Sequence, residues 1–91
     1  MVQVTIFIKG RVQGVFYRQF ISDNARRLKI LGYVKNLRDG RVEAVFQHKK
    51  KEILEKMIEI SKCGPELAKI KEIEINWDQK EEIFDYFSII Y

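Results

Sequence analysis

The chain has 91 residues, 46% of them hydrophobic and 12% aromatic, with one cysteine, one histidine and one proline. That apolar content builds one small core and excludes disorder, while a lone thiol excludes an internal disulfide framework and, with one imidazole, a structural zinc site. A formal charge of +4 is spread unevenly: residues 1–51 hold 12 lysines and arginines against 3 acids, residues 52–91 hold 5 against 10, so the first half is expected to attract an anion.

Val2, Val4, Ile6 and Ile8 alternate with Gln3, Thr5, Phe7 and Lys9, the period of a strand with one face in a core; it is expected to end at Gly10. Beyond the loop Arg11 to Phe16, Phe20, Ile21, Asn24, Ala25 and Leu28 recur at helical spacing, which predicts a helix over Tyr17 to Lys29. Gly32 to Leu37 and Arg41 to Gln47 are β-rich runs joined by Arg38-Asp39-Gly40, a hairpin signal. Ile53, Leu54, Met57, Ile58 and Ser61 give a second helix over Lys50 to Lys62, stopped by a left-handed cap at Gly64 and by Pro65. Ile73, Ile75 and Trp77 alternate while Ile70 is out of phase, so a strand carries a bulge there or begins near Lys71. Asp78 to Glu82 reads as a polar loop, and Phe87, Ile89 and Tyr91 close the chain in a last alternating run.

The order βαββαβ specifies an α+β, ferredoxin-like split βαβ sandwich: an antiparallel sheet with two helices on one face, in one domain over 1–91. Right-handed crossovers place both helices on the same side and leave the other sheet face to solvent or a ligand. No apolar run is long enough for a membrane span and no cleavable signal precedes the first strand, so a cytoplasmic monomer is expected, without membrane contact.

Gly10-Arg11-Val12-Gln13-Gly14-Val15-Phe16-Tyr17-Arg18 lies between a strand end and a helix start. A loop so placed can turn consecutive N–H groups inward while the helix adds its positive dipole end, forming a cradle for a tetrahedral anion. Arg18 offers a planar fork of donors suited to two phosphoryl oxygens. No Lys-Ser or Lys-Thr follows the second glycine and no G-x-G-x-x-G occurs, so this is not a nucleotide-binding loop of either common kind.

Gly10 to Arg18 resembles the G-x-V-Q-G-V-x-[FY]-R loop of acylphosphatases. Gly32, Tyr33, Val34, Asn36, Gly40 and Val42 match that family's second motif, G-[FY]-[AV]-x-N-x-x-x-G-x-V, and Cys63-Gly64-Pro65 is similar to its turn after the second helix. The resemblance covers essentially the whole chain. It implies the ferredoxin-like fold and hydrolysis of small-molecule acyl phosphates, with no metal and no cofactor. It further implies that the main chain of Gln13, Gly14, Val15, Phe16, Tyr17 and Arg18 holds the phosphate, that the Arg18 side chain binds the phosphoryl group, and that Asn36 positions the attacking water. One departure is His48, where the family's second motif ends in glycine; three lysines follow it. Histidine accepts a positive φ better than most residues.

These residue types suit the reaction. A carboxylate leaves with little protonation and phosphoryl transfer runs through a loose transition state, so positioning and charge stabilisation suffice. An asparagine carbonyl can accept a hydrogen bond from water and aim it. The same element order also underlies RNA-recognition modules, and Ile6-Phe7-Ile8 resembles their first motif. Arg41 to His48 lacks their second, so no nucleic-acid partner is expected. A non-catalytic sensor of phosphorylated metabolites would share the loop. Cys63 reads as a buried helix-end side chain, His48 as a solvated loop residue, and Trp77 and Tyr91 as sheet-packing aromatics.

Overall fold

A computed structural model describes residues 1–79 and 82–91. The elements are β1 (Val2–Arg11), α1 (Tyr17–Arg27), β2 (Leu31–Asn36), β3 (Val42–His48), α2 (Lys51–Cys63), β4 (Lys69–Gln79) and β5 (Phe87–Ile90). The sheet order is β4-β1-β3-β2-β5. β1 runs antiparallel to β3 and β4, and β2 antiparallel to β3, as the ferredoxin-like reading requires. β5 lies parallel to β2, so the sheet is mixed rather than antiparallel throughout.

The alternation in β1 has its expected consequence: Val4, Ile6 and Ile8 are fully buried, and they pack with Ile21 and Ala25 of α1, Leu54 and Met57 of α2, and Val34, Val42, Ala44 and Phe46 of the neighbouring strands. Each such aliphatic side chain contributes about 1.5–3 kcal/mol through removal from water. Among the described residues no helix is long and apolar enough to cross a membrane.

Several predicted boundaries move, each for a local reason. α1 stops at Arg27 because Lys29 turns left-handed (φ 60). The Lys29 N–H then donates to the Arg26 carbonyl at 3.1 Å and the Ile30 N–H to the Ala25 carbonyl at 2.8 Å, a Schellman cap with lysine in place of glycine. Of the two readings at Ile70, the bulge is the one observed: β4 starts at Lys69, and Gly10 faces Ile70 while Lys9 faces Glu72, so Lys71 has no partner in β1. β1 accordingly runs one residue past Gly10, to Arg11. Asp78 and Gln79 extend β4 instead of joining a polar loop, and Lys80 and Glu81 of that expected loop lie outside the described residues. Cys63 is exposed, not buried. His48 ends β3 without a positive φ, and its Nδ1 accepts the Lys50 N–H at 2.9 Å, so the imidazole caps the entry to α2.

The two helices are pinned by one buried phenol. Tyr17 is 1% exposed and its hydroxyl donates to the Ser61 carbonyl at 2.8 Å, where the α2 backbone nears its end. Burial holds the Tyr17 phenol well above the ordinary tyrosine range. Tyr17→Phe is expected to lower unfolding free energy by about 1 kcal/mol at neutral pH, measured by urea denaturation. A raised folded-state value means that the neutral phenol's contribution is complete below about pH 10 and is lost as the pH rises through that folded value. The wild type should therefore weaken under alkaline conditions while the gap from Tyr17→Phe narrows.

Candidate active site

Two segments far apart in sequence meet at one end of the sheet: the loop between β1 and α1, and the start of the β2–β3 turn. Gly14 (φ 73) and Phe16 (φ 63) both take left-handed backbone. Gly14 meets this demand without strain, and a Cβ there would meet nothing within 4 Å, so the glycine is required by conformation rather than by crowding. Left-handed residues at alternate positions are what turn successive amides to one side of a loop. Among the described residues the N–H groups of Gln13, Gly14, Val15 and Phe16 donate to no other main-chain group. Phe16 is also the N-terminal cap of α1, with no side-chain hydrogen bond to the helix, so the first-turn amides keep their capacity for an anion.

The loop is tied to the turn by a single side chain. Gln13 Nε2 donates to the Leu37 carbonyl at 2.8 Å and to the Arg41 carbonyl at 3.0 Å. The Arg41 carbonyl also accepts the Leu37 N–H at 2.8 Å, which closes the hairpin at the residue following Asn36. Asp39 fastens the tip: its Oδ1 accepts the Arg41 N–H at 3.0 Å and its Oδ2 pairs with Arg41 Nε at 2.8 Å. Those bonds to Arg41 hold the exposed Asp39 carboxyl below the usual carboxylate value.

A cleft of about 270 Å³ opens between these parts, lined by Val12, Gly14, Phe16, Tyr17, Arg18, Gln19, Asn36, Ile89 and Tyr91. Of the residues predicted from sequence, Gly14, Phe16, Tyr17, Arg18 and Asn36 come together there. Gln13 and Val15 do not line it: the first reaches to the hairpin, and the second is in the core at 6% exposure, so each has only its main chain to offer. The Tyr17 ring likewise belongs to the core.

Arg18 and Asn36 differ in how they are held. Arg18 donates from one terminal nitrogen to the Ile90 carbonyl at 3.2 Å, and its guanidinium carbon lies 4.9 Å from the Tyr91 ring centre. One donor and one face of the group are thus engaged, leaving the other donors of the fork for a ligand. Asn36 Oδ1 is buried and has no hydrogen-bond partner among the described residues. Such an orphaned acceptor costs about 1–3 kcal/mol. Among the described residues, rotation of the amide about its last bond, which exchanges Oδ1 with Nδ2, breaks no hydrogen bond.

The sequence reading missed β5 altogether as part of the site. Pairing of Val34 with Ile89 and Lys35 with Ile90 carries the chain end alongside Asn36, which brings Ile89 and Tyr91 to the cleft wall. Tyr91 is therefore no sheet-packing aromatic; it is 94% exposed and faces Arg18. Trp77, read the same way, is 40% exposed with the Lys51 ammonium 4.9 Å above its ring. No pattern local to residues 87–91 carries this information, because it depends on which strand β5 chooses as neighbour.

A wider hollow of about 770 Å³ lies by Lys9, Arg11, Asp39, Arg41, Lys71 and Glu72. Its lining is surface charge of both signs, and it contains neither Arg18 nor Asn36. On the open sheet face, Phe7 sits beneath the Arg41 guanidinium at 5.1 Å, with Glu43 and Glu74 opposite it on either side.

Comparison with known proteins bears on the fold and the family. The family model described as acylphosphatase matches residues 4–89. An acylphosphatase of Pyrobaculum calidifontis is 42% identical over 91 residues, covering 99% of this chain and 82% of its own. One from Chloroflexus aurantiacus is 41% identical over 87 residues, covering 92% and 94%. The crystal structure of acylphosphatase from Bacillus subtilis superposes with a TM-score of 0.95 at 36% identity over 100% of both chains.

The hairpin that carries Asn36 should respond to acid in a defined direction. A depressed carboxyl value means that the contribution of Asp39 is present above the ordinary carboxylate value of about 4 and is lost as the pH falls through its lower folded-state value. Asp39→Asn is expected to melt below the wild type at pH 7, and calorimetric scans down to strongly acid pH should see the two midpoints converge.

Proposed function

This chain belongs to the acylphosphatase family and is a hydrolase of acyl phosphates; from that premise we propose that the reaction proceeds by metal-free, in-line attack of a water positioned by Asn36 on a phosphoryl group held by Arg18 and the Gln13–Arg18 loop. The observation that carries this reading is that Asn36, whose buried Oδ1 has no partner among the described residues, lines the same cleft as Arg18 and the loop residues Gly14 and Phe16.

In this mechanism the phosphoryl oxygens accept hydrogen bonds from the loop N–H groups and from the Arg18 donors that Ile90 leaves unused. The Asn36 carbonyl oxygen accepts one hydrogen bond from a water and holds its oxygen opposite the acyl oxygen. The new bond forms between the water oxygen and phosphorus as the bond from phosphorus to the acyl oxygen breaks, and that electron pair leaves on the carboxylate. A phosphoryl oxygen of the substrate takes the proton of the water, because the carboxamide cannot. The products are a carboxylate and inorganic phosphate. Guanidinium and main-chain N–H donors supply the stabilisation and the Asn36 carbonyl supplies the acceptor for the water, so the scheme calls on no metal or cofactor.

The alternative of an RNA-binding module finds less support: a base stacked on Phe7 would displace Arg41 and lie between Glu43 and Glu74, where a phosphate backbone is repelled.

The two side chains should separate kinetically. With an acyl phosphate as substrate, Arg18→Ala is expected to lose at least about 100-fold in kcat and to weaken competitive inhibition by inorganic phosphate. Asn36→Ala should lose kcat by a similar factor of about 100 while the inhibition constant for phosphate stays within about twofold. Both should keep the wild-type circular dichroism, and excess chelator should leave wild-type turnover unchanged. Equal loss of phosphate binding in both variants would refute this division of roles.

A further inference from the structure

We propose that the Gln13 side chain is a positioning residue for the hydrolysis: by gripping the hairpin that carries Asn36, it sets where the attacking water stands relative to a phosphoryl group in the loop. The inference rests on the hydrolytic reading above and adds what keeps its two halves in register.

Gln13 belongs to both halves at once. Its main-chain N–H is among the loop amides that donate to no other main-chain group among the described residues, so it is available to the phosphoryl group. Its side chain leaves the loop: Nε2 donates to the Leu37 carbonyl at 2.8 Å and to the Arg41 carbonyl at 3.0 Å. Both hydrogens of the amide are thereby committed. Each of those acceptors also takes one of the main-chain bonds that close the turn, the Arg41 carbonyl from the Leu37 N–H at 2.8 Å and the Leu37 carbonyl from the Gly40 N–H at 3.2 Å. Asn36 stands directly before this closure and pairs with Val42 in the last rung of the β2–β3 ladder.

The competing view is that Gln13 merely helps the hairpin to form. The turn has means of its own: those two main-chain bonds, Gly40 at φ 97, and the Asp39 carboxylate bound to the Arg41 N–H and Nε. Its shape is settled without the loop, whereas its distance from the loop is not. A side chain that spans the gap between the two therefore fixes separation. In-line attack is sensitive to that quantity, since the water must lie opposite the departing acyl oxygen and a misplacement of about 1 Å costs about 100-fold in rate. Phosphate binding is spared, because the loop amides and Arg18 are carried between β1 and α1 and not by the hairpin.

The test is a double-mutant cycle on kcat with benzoyl phosphate as substrate, together with the inhibition constant of inorganic phosphate. Gln13→Met keeps the length of the side chain and removes both donors. It is expected to lower kcat about tenfold or more, while the phosphate constant stays within about twofold and circular dichroism is unchanged. In the Asn36→Ala background the same substitution should cost less than about twofold, because the water it serves to place is no longer held. General damage to the loop or the fold would cost the same in both backgrounds. Should Gln13→Met fail to fold, Gln13→Asn goes through the same cycle; its amide is one methylene short of the carbonyls, and the same pattern is expected. An equal loss in the two backgrounds, a loss of phosphate affinity alongside kcat, or wild-type kcat in the single variant would overturn the positioning role and leave hydrolysis standing. A folded wild type that leaves benzoyl phosphate intact would overturn the hydrolytic reading itself, and the positioning role with it.

Discussion

The site depends on two hydrogen bonds from one carboxamide. Gln13 lies in the anion loop, yet its Nε2 holds the Leu37 and Arg41 carbonyls, which define the hairpin immediately after Asn36. β1 and β2 are not neighbours and β3 runs between them, so that tie links the loop directly to the hairpin. In the proposed mechanism the loop that would cradle the phosphoryl and the carboxamide that would aim the water must keep their separation within a fraction of an ångström. A side-chain bridge across the top of the sheet supplies that stiffness where the strand ladder has ended.

The same economy explains why the loop can leave its amides without a main-chain partner among the described residues. Orphaned N–H groups are normally capped or solvated, and Ser, Thr, Asp or Asn before α1 would have satisfied some of them. Phe16 occupies the cap position with a side chain that offers no acceptor, and the first turn of α1 contains no acid. The local chemistry thus works against helix stability. The deficit is made up below the loop, where Val12 and Val15 are buried in the core and the Tyr17 hydroxyl anchors α1 to α2. The strain is local and the compensation is in the packing.

What could be read from sequence follows the range over which each signal acts. The period of two in β1, the helical stripes and the Asp39-Gly40 turn are local, and they gave the elements and the layer architecture. Arg18 and Asn36 were legible because each sits in a spaced motif. The left-handed cap at Lys29 was not, because lysine there is permitted rather than signalled. The parallel docking of β5 on β2 was also hidden: an alternating run states that a strand forms, and only the competition among sheet edges decides where. With β5 went Ile89 and Tyr91, two residues of the cleft wall that no motif announced. His48 shows the converse case, in which a departure from the family pattern looked like a backbone question and was resolved by a side-chain nitrogen capping Lys50.

Three consecutive residues show how tightly these demands are coupled. Phe16 faces solvent, Tyr17 is sealed in the core and Arg18 returns to the cleft. In a regular helix successive side chains step by about 100°, which would scatter three neighbours without aiming them. Here the left-handed turn at Phe16 sets the phase at which α1 begins. Tyr17 then fixes the rotation of the helix about its axis by reaching the Ser61 carbonyl, and Arg18, one step further, has its direction decided for it. The arginine is aimed by the tyrosine, whose own position is set by the core, so the orientation of the cationic group comes from the best-packed part of the molecule although the group itself is partly open to solvent.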